Sequence, residues 1–255
     1  MIFRVEWYRW LRTRRLVALV AAFVLFAFLS LFGAKYLPDL IGHSTEIQLL
    51  RTPDWRDGIQ QYVKNAGLLL AAVSVVLAAQ ACAVRGSDPV GIYYLSREVS
   101  PIRLYLPRIL VSAAVVAVAA VLGAVIALYE CRALFGPYPL AAASSVLAVQ
   151  GIALVLFAVF GAAVAARTAS AGRAVAVVAA VYVLCLLVAT VPAAQPYLPI
   201  TALQPGVGDA GMPVVAAAKS LAALAAASGL ALAAALTAPI RAIGASASSE
   251  ARTGQ

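Results

Sequence analysis

Six long apolar stretches run along the chain, and most polar residues lie between them. The stretches cover about residues 16–34, 65–84, 109–128, 140–166, 174–193 and 214–238. A membrane-spanning helix needs roughly 20 mostly apolar residues, and these stretches are long enough. In hydrocarbon, backbone polar groups must be satisfied within the protein, and a helix achieves this inside one segment. The pattern therefore predicts an all-α integral membrane protein with six transmembrane helices.

The composition excludes an ordinary soluble domain. Of the 255 residues, 64% are hydrophobic and only 11% are charged, against about 25% charged residues in a typical soluble domain. No small-residue cleavage site follows the first apolar stretch at a suitable distance, so we expect it to be retained as the first span. The three cysteines form no C-x-x-C pair, and His43 has no partner at metal-ligand spacing. We expect no cofactor or metal to be bound by this chain.

The basic residues predict the orientation. With six spans, both termini and the second and fourth loops share one side, and thirteen of the nineteen lysines and arginines lie there. The positive-inside rule places that side, and both termini, in the cytoplasm. We expect a multi-pass protein of the cell (inner or plasma) membrane. The arginines flank spans and form no continuous basic domain, so membrane lipids are the expected counter-charge and nucleic acid is not an expected partner.

Residues 1–15 have the pattern of an amphipathic helix. One apolar face is predicted from positions i, i+4, i+7 and i+8, which are Phe3, Trp7, Trp10 and Leu11. Tryptophan and tyrosine favour the headgroup level, so we expect this helix to lie in the cytoplasmic interface. The six-span domain would follow over residues 16–239, and 240–255 would form a flexible cytoplasmic tail.

Two loops are predicted on the external side. Residues 35–64 are the longest polar stretch and should form a mostly external loop with short helical pieces. Residues 194–213 are apolar but repeatedly broken by proline, which predicts a broken outer hairpin between spans five and six.

Gln150 falls near the centre of the fourth span. An intramembrane amide either makes a helix–helix hydrogen bond or contacts a substrate path, and both interpretations stay open.

The loop at residues 85–108 has helix-start signals. Asp88 precedes Pro89, and an acidic N-cap followed by proline is typical of a helix N-terminus. Ser100 and Pro101 repeat the signal, which predicts two short helices with a break between them. Such a loop is either a docking element for a cytoplasmic partner or an ordinary interfacial connector.

The order of these features resembles the permease subunit of type-2 ATP-binding cassette (ABC) exporters. In that family the first cytoplasmic loop typically has an acidic residue, then G-T-L-x-L-L-S-R-P-V-S-R, then a basic residue that opens the third span. This chain has Asp88, then Gly91-Ile92-Tyr93-Tyr94-Leu95-Ser96-Arg97-Glu98-Val99-Ser100, then Arg108. Glu98 stands where the family usually has proline, and Pro107 where it usually does not.

The resemblance implies a coupling helix that docks on a separate cytoplasmic ATPase. The ATPase-coupling residues would be Asp88, Gly91, Ile92, Tyr93, Tyr94, Leu95, Ser96, Arg97 and Glu98. ATP and magnesium would bind to the partner subunit, and the permease would pair with a second permease chain as homodimer or heterodimer. This chain has no G-x-x-x-x-G-K-[ST] phosphate loop, so we expect no ATP hydrolysis of its own.

Two other functions remain as alternatives to a permease that forms the translocation path of an exporter. A secondary transporter would bury an ionisable residue near mid-membrane, and no predicted span has Asp, Glu or Arg near its centre. A structural membrane subunit with no transport activity is the other alternative. An intramembrane serine protease is disfavoured because no G-x-S-x-G occurs. The transported substrate has no signature in the sequence.

Overall fold

The computed structural model describes residues 2–42, 52–84, 88–97, 99–208 and 214–237. Within its helices, the side chains of residues 2, 38–42, 90, 94, 95 and 214 are outside that description. His43, Glu98 and the predicted tail at 240–255 lie outside the described residues. Every regular element in the described ranges is helical, as the sequence predicts.

The described elements follow one another along the chain as twelve helical segments. They are α1 (Ile2–Arg12), α2 (Arg15–Gly42), α3 (Trp55–Asn65), a π-helical turn (Ala66–Leu70), α4 (Ala71–Cys82), α5 (Pro89–Ser96), α6 (Pro101–Phe135), α7 (Leu140–Thr168), α8 (Ala171–Val188), a 3-10 turn (Gln195–Tyr197), α9 (Pro199–Leu203) and α10 (Val214–Thr237). The π-helical turn joins α3 to α4 without a break, so these three elements form one continuous rod.

Six of these segments are long and apolar enough to cross a membrane. They are Arg15–Leu37, Trp55–Cys82, Pro101–Phe135, Leu140–Thr168, Ala171–Val188 and Val215–Thr237. The prediction of six apolar helices is confirmed, and the chain has the make-up of a multi-pass membrane protein.

The helix ends differ from the predicted loop boundaries. Residues 101–108 belong to α6, so the second short helix predicted in the loop is not a separate element. Pro107 lies inside α6, although proline removes a backbone donor and usually breaks a helix. On the other side, residues 35–42 continue α2 and residues 55–64 belong to α3, so the polar stretch at 35–64 is much more helical than predicted.

The start of α3 is stabilised by a capping box. The Asp54 side chain accepts hydrogen bonds from the backbone amides of Arg56 (2.9 Å) and Asp57 (3.3 Å). In return, the Asp57 carboxylate accepts one from the Asp54 amide at 2.9 Å. This reciprocal pairing satisfies amide groups that have no partner inside the helix, which explains why a helix begins in a polar stretch.

The centre of the bundle is α7, which packs against α4, α6, α8 and α10. Its inward face is mostly alanine, and small residues let helix backbones approach closely. A Cβ added at Gly161 would lie 2.8 Å from Cγ1 of Val75, which shows how close α7 and α4 are. By contrast, α8 buries only Ala174 and Val178 along its whole length, so a large apolar surface of this helix faces outward.

Candidate functional site

Helix α5 lies between the end of α4 and the start of α6 and carries an exposed patch. Ile92 is 55% exposed and Tyr93 is 50% exposed. The guanidinium carbon of Arg97, which is also exposed, lies 4.6 Å from the centroid of the Tyr93 ring. This distance suits a cation–π interaction. An apolar and an aromatic side chain of this eight-residue helix are thus presented together with a cationic side chain from the turn that follows it.

The remaining predicted coupling residues are distributed around this helix. The Asp88 carbonyl accepts the Ile92 amide at 2.9 Å, which closes the first turn of α5. Gly91 is buried, while the Ser96 hydroxyl donates to the Tyr93 carbonyl at 2.9 Å. Tyr94 and Leu95 lie on α5, but their side chains are outside the described residues.

A buried ion pair lies beside this loop. Nε of Arg108 donates to Oε1 of Glu6 at 3.1 Å, and these two residues are 4% and 5% exposed. The Ser112 hydroxyl donates to the Arg108 carbonyl at 2.8 Å, one turn further along α6. Removing one partner of a buried ion pair typically costs about 3–5 kcal/mol, because the other charge is left without compensation.

Helix α1 uses this pair to connect the two helices that flank α5. Nη1 of Arg9 lies 3.5 Å from Oε2 of Glu6 and 3.4 Å from the carbonyl oxygen of Ala81, near the end of α4. Glu6 meanwhile reaches Arg108 in α6. One turn of α1 therefore contacts both of the helices that flank the loop carrying α5.

Glu6 is not among the functional residues predicted from the sequence. Arg108 is predicted only as the basic residue that opens the third span. One signal was present: Glu6 is the only acidic residue in the first 38 positions, and an isolated acid among several arginines often has a specific partner.

The predicted apolar face of α1 is divided in the structure. Phe3, Trp7 and Leu11 are 50%, 37% and 39% exposed, but Trp10 is only 2% exposed. Trp10 therefore faces the bundle, whereas the other three residues of the predicted apolar face are partly exposed. Glu6 and Trp10 are one turn apart, and both are buried because α1 packs against α6 and α2.

A second polar cluster, formed by three glutamines, surrounds α9. Nε2 of Gln150 donates to the carbonyls of Val63 at 2.7 Å and Leu203 at 2.8 Å. Gln150 is 2% exposed, so it ties α7 to α3 and to the end of α9. The helix–helix hydrogen-bond interpretation describes this geometry, whereas a contact with a substrate path stays a prediction.

The other two glutamines hold the chain just after α9. Nε2 of Gln204 donates to the Tyr182 hydroxyl of α8 at 2.8 Å. Oε1 of Gln60 in α3 accepts the Val207 amide at 3.0 Å. A Cβ added at Gly67 would lie 2.5 Å from the Leu203 carbonyl oxygen. The segment after α9 is thus packed directly against the π-helical turn.

The described residues show no metal-binding arrangement. Within them, no group of three or more His, Cys, Asp or Glu side chains is placed to hold a metal ion. Cys82, Cys131 and Cys185 are free thiols, and the first two are buried. Two apolar grooves lie on the bundle, one of about 480 Å³ between α6 and α7 and one of about 180 Å³ beside α8.

Comparison with known proteins adds no family to this description. No protein-family model, no curated protein and no solved structure matches the chain. The class of protein is therefore defined by the fold alone: an all-helical chain whose six apolar helices have the length and composition of membrane spans.

Proposed function

We propose that this chain is the membrane-spanning permease subunit of an ABC exporter and that a separate cytoplasmic ATPase drives it. The observation that carries the proposal is helix α5, an exposed helix of eight residues whose flanking helices are both contacted by α1. A passive connector needs neither a presented aromatic–cation pair nor a buried ion pair beside it. A coupling element needs both, because it must bind a partner and pass on its movement.

In this proposal α5 docks in a groove of the ATPase. Tyr93 contributes a large apolar ring with a hydroxyl for a peripheral hydrogen bond, and Arg97 contributes charge. When two ATPase subunits close on ATP, α5 moves with them. Because Glu6 and Arg9 join α1 to α6 and α4, the three helices move together and the movement reaches the spans.

The proposed orientation places α5, α1 and both termini on the cytoplasmic side, with α1 in the membrane interface. The arginine distribution supports this side. The broken segment at 191–208, with its 3-10 turn and α9, would then form the outer hairpin.

In a cysteine-free background, Pro137→Cys should react with an impermeant thiol reagent in intact cells, and Arg97→Cys only after permeabilisation. The reverse labelling pattern would show the opposite topology and refute the proposal.

The functional unit would hold two permease chains and two ATPase subunits, with ATP and magnesium bound by the ATPases. The exposed apolar side of α8, where Leu184 and Leu187 are 58% and 63% exposed, is the surface of this chain that we assign to the second permease. The paired chains would form the translocation path between them.

The test is the affinity of the chain for its ATPase. The wild-type chain is purified from its native membrane, and a co-purified protein with a phosphate loop is titrated against variants. Losing interface anchors such as Tyr93 and Arg97 costs on the order of 2 kcal/mol, so Tyr93→Ala with Arg97→Ala should weaken binding about thirtyfold.

The matched control is Tyr129→Ala. Tyr129 is 71% exposed but lies near the opposite end of α6, roughly 40 Å from Pro101 at 1.5 Å per residue. It should leave ATPase binding unchanged. Unchanged binding by the Tyr93 and Arg97 double variant, or ATP hydrolysis by the purified chain alone, would refute the proposal.

A further inference from the structure

A groove between α1 and α6 has a composition different from the other cavities. It has a volume of about 330 Å³ and is lined by Phe3, Arg4, Trp7 and Tyr8 of α1 and by Val111 of α6. Val111 is 6% exposed and forms the floor, while Phe3 and Tyr8 are about half exposed and form part of the wall. The groove thus joins an aliphatic floor to aromatic walls and one cation.

The cation in this groove has no counter-ion. Among the described residues, no carboxylate oxygen lies within 4.0 Å of the Arg4 guanidinium, and its side chain makes no hydrogen bond. Glu6, the nearest acid in the sequence, is already paired with Arg108 and contacted by Arg9. An anion bound at Arg4 would therefore displace no existing contact.

The neighbouring charges favour an anion as well. Arg12 and Arg14 follow on the same side of the membrane domain, are exposed, and have no carboxylate within ion-pair distance among the described residues. Several uncompensated guanidinium groups near one groove raise the local positive potential, and such a potential attracts anionic lipid headgroups.

The apolar part of the groove favours a ligand that also carries a hydrocarbon chain. Tryptophan and tyrosine side chains favour the headgroup level of a bilayer, where one end of the side chain is apolar and the other is hydrated. The planar fork of arginine suits a phosphate group, which accepts two parallel hydrogen bonds from it. Arg4 beside Trp7 and Tyr8, above Val111, offers both kinds of contact within one groove.

We propose that this groove binds one anionic phospholipid, whose phosphate lies against Arg4 and whose acyl chain lies between α1 and Val111. The bound lipid fills the gap between α1 and α6 next to the Glu6–Arg108 ion pair and holds α1 against the bundle. This proposal rests on the membrane location of the chain and not on the proposed transport function, so either one is refuted independently of the other.

Native mass spectrometry of the full-length chain in detergent tests the site. The probes are dioleoyl phosphatidylglycerol, which is anionic, and dioleoyl phosphatidylcholine, which is zwitterionic with the same chains. Wild type should retain one phosphatidylglycerol per chain more strongly than phosphatidylcholine. Arg4→Gln should reduce that preference at least tenfold, because it removes the charge-assisted hydrogen bonds to the phosphate as well as the charge. Arg4→Lys should keep most of it.

The matched control is Arg12→Gln, which removes the same charge from the same helix but does not line the groove. It should reduce the preference by no more than about fivefold, the effect of one basic side chain near an anionic surface. Equal losses in Arg4→Gln and Arg12→Gln would mean that only general surface charge attracts the lipid, and the site would be refuted. Equal retention of both lipids by wild type would refute it too. Arg4 is exposed, so its replacement should not disturb folding, and an unchanged elution volume in size-exclusion chromatography checks this.

Discussion

The two polar clusters of this bundle are built from different chemistry. Beside α5, the contacts between helices are made by charges: Glu6, Arg9 and Arg108 join α1, α4 and α6. Around α9, they are made by neutral amides: Gln60, Gln150 and Gln204 hold the chain at residues 203–207. Both clusters tie irregular or short segments to long helices, but only the first uses ionised groups.

We infer that the difference follows from how far each cluster lies from the end of its helix. Arg108 lies roughly 10 Å along α6 from its first residue and Gln150 roughly 15 Å along α7, at 1.5 Å per residue. An isolated charge becomes more costly toward the bilayer centre, whereas a primary amide carries none. A glutamine also satisfies two carbonyls with one nitrogen. We infer that neutral amides join helices at a lower free-energy cost deep in the bundle, whereas charged side chains are suited to contacts near its end.

Breaking the charged cluster should have the largest effect. Arg108→Gln leaves the buried Glu6 carboxylate with only the 3.5 Å contact to Arg9, so we expect a loss of about 3–5 kcal/mol in unfolding free energy. Titration of the detergent-solubilised chain with denaturant, followed by far-UV circular dichroism, measures it.

The control for this change is a second replacement in the same pair. Glu6→Gln combined with Arg108→Gln removes both charges, so most of the lost stability should return, because no unpaired charge remains. Additive losses in the double variant would show that the two side chains do not act as a pair.

Breaking the amide cluster should have a smaller effect. Gln150→Leu keeps a similar volume but removes the side-chain donor to the Val63 and Leu203 carbonyls, of which Val63 also accepts the Ala66 amide. We expect a loss of about 3 kcal/mol at most. Gln150→Glu should be worse, because a buried carboxylate facing two carbonyl oxygens must take up a proton. If Gln150→Leu were as damaging as Arg108→Gln, the distinction between the two clusters would fail.

A smaller loss of stability should result from adding a methyl group where the π-helical turn packs closely against residue 203, beside the glutamines. Gly67→Ala places a methyl group 2.5 Å from the Leu203 carbonyl oxygen, and we expect a loss of about 2 kcal/mol from overpacking. Gly33→Ala is the matched control, since nothing lies within 4 Å of its added Cβ. Alanine there should be neutral or slightly stabilising in the helix. Thermal denaturation of both variants makes the comparison, and equal midpoints would contradict the close packing of residue 203 against the π-helical turn.

The long apolar helices were predictable from the sequence because their signal is additive. Twenty apolar residues in a row outweigh any single exception, which is why six spans were predicted and six apolar helices are found. Their ends were less predictable. Arg103, Pro107 and Arg108 lower the local hydropathy, so the third span was placed at 109–128, whereas α6 runs from Pro101 to Phe135.

The contacts between distant residues could not be read from hydropathy at all. Arg108 and Glu6 are 102 positions apart, and each one alone looks like a surface charge beside a span. Trp10 and Trp7 look equivalent in an amphipathic pattern, and only the packing of α1 on α6 shows which is buried. The start of α3 has a local signal in the sequence, because Asp54 and Asp57 stand three residues apart before an amphipathic run.

The central claim is that α5 is the surface where an ATPase docks, and site-specific photocrosslinking tests it most directly. A photoreactive residue placed at Tyr93 in living cells should capture a protein that contains a G-x-x-x-x-G-K-[ST] phosphate loop, identified by mass spectrometry of the crosslinked band. The same residue placed at Tyr129, which is even more exposed, should capture no such protein. Capture of an ATPase at Tyr129, or none at Tyr93 in cells that make the protein at its natural level, would contradict the account.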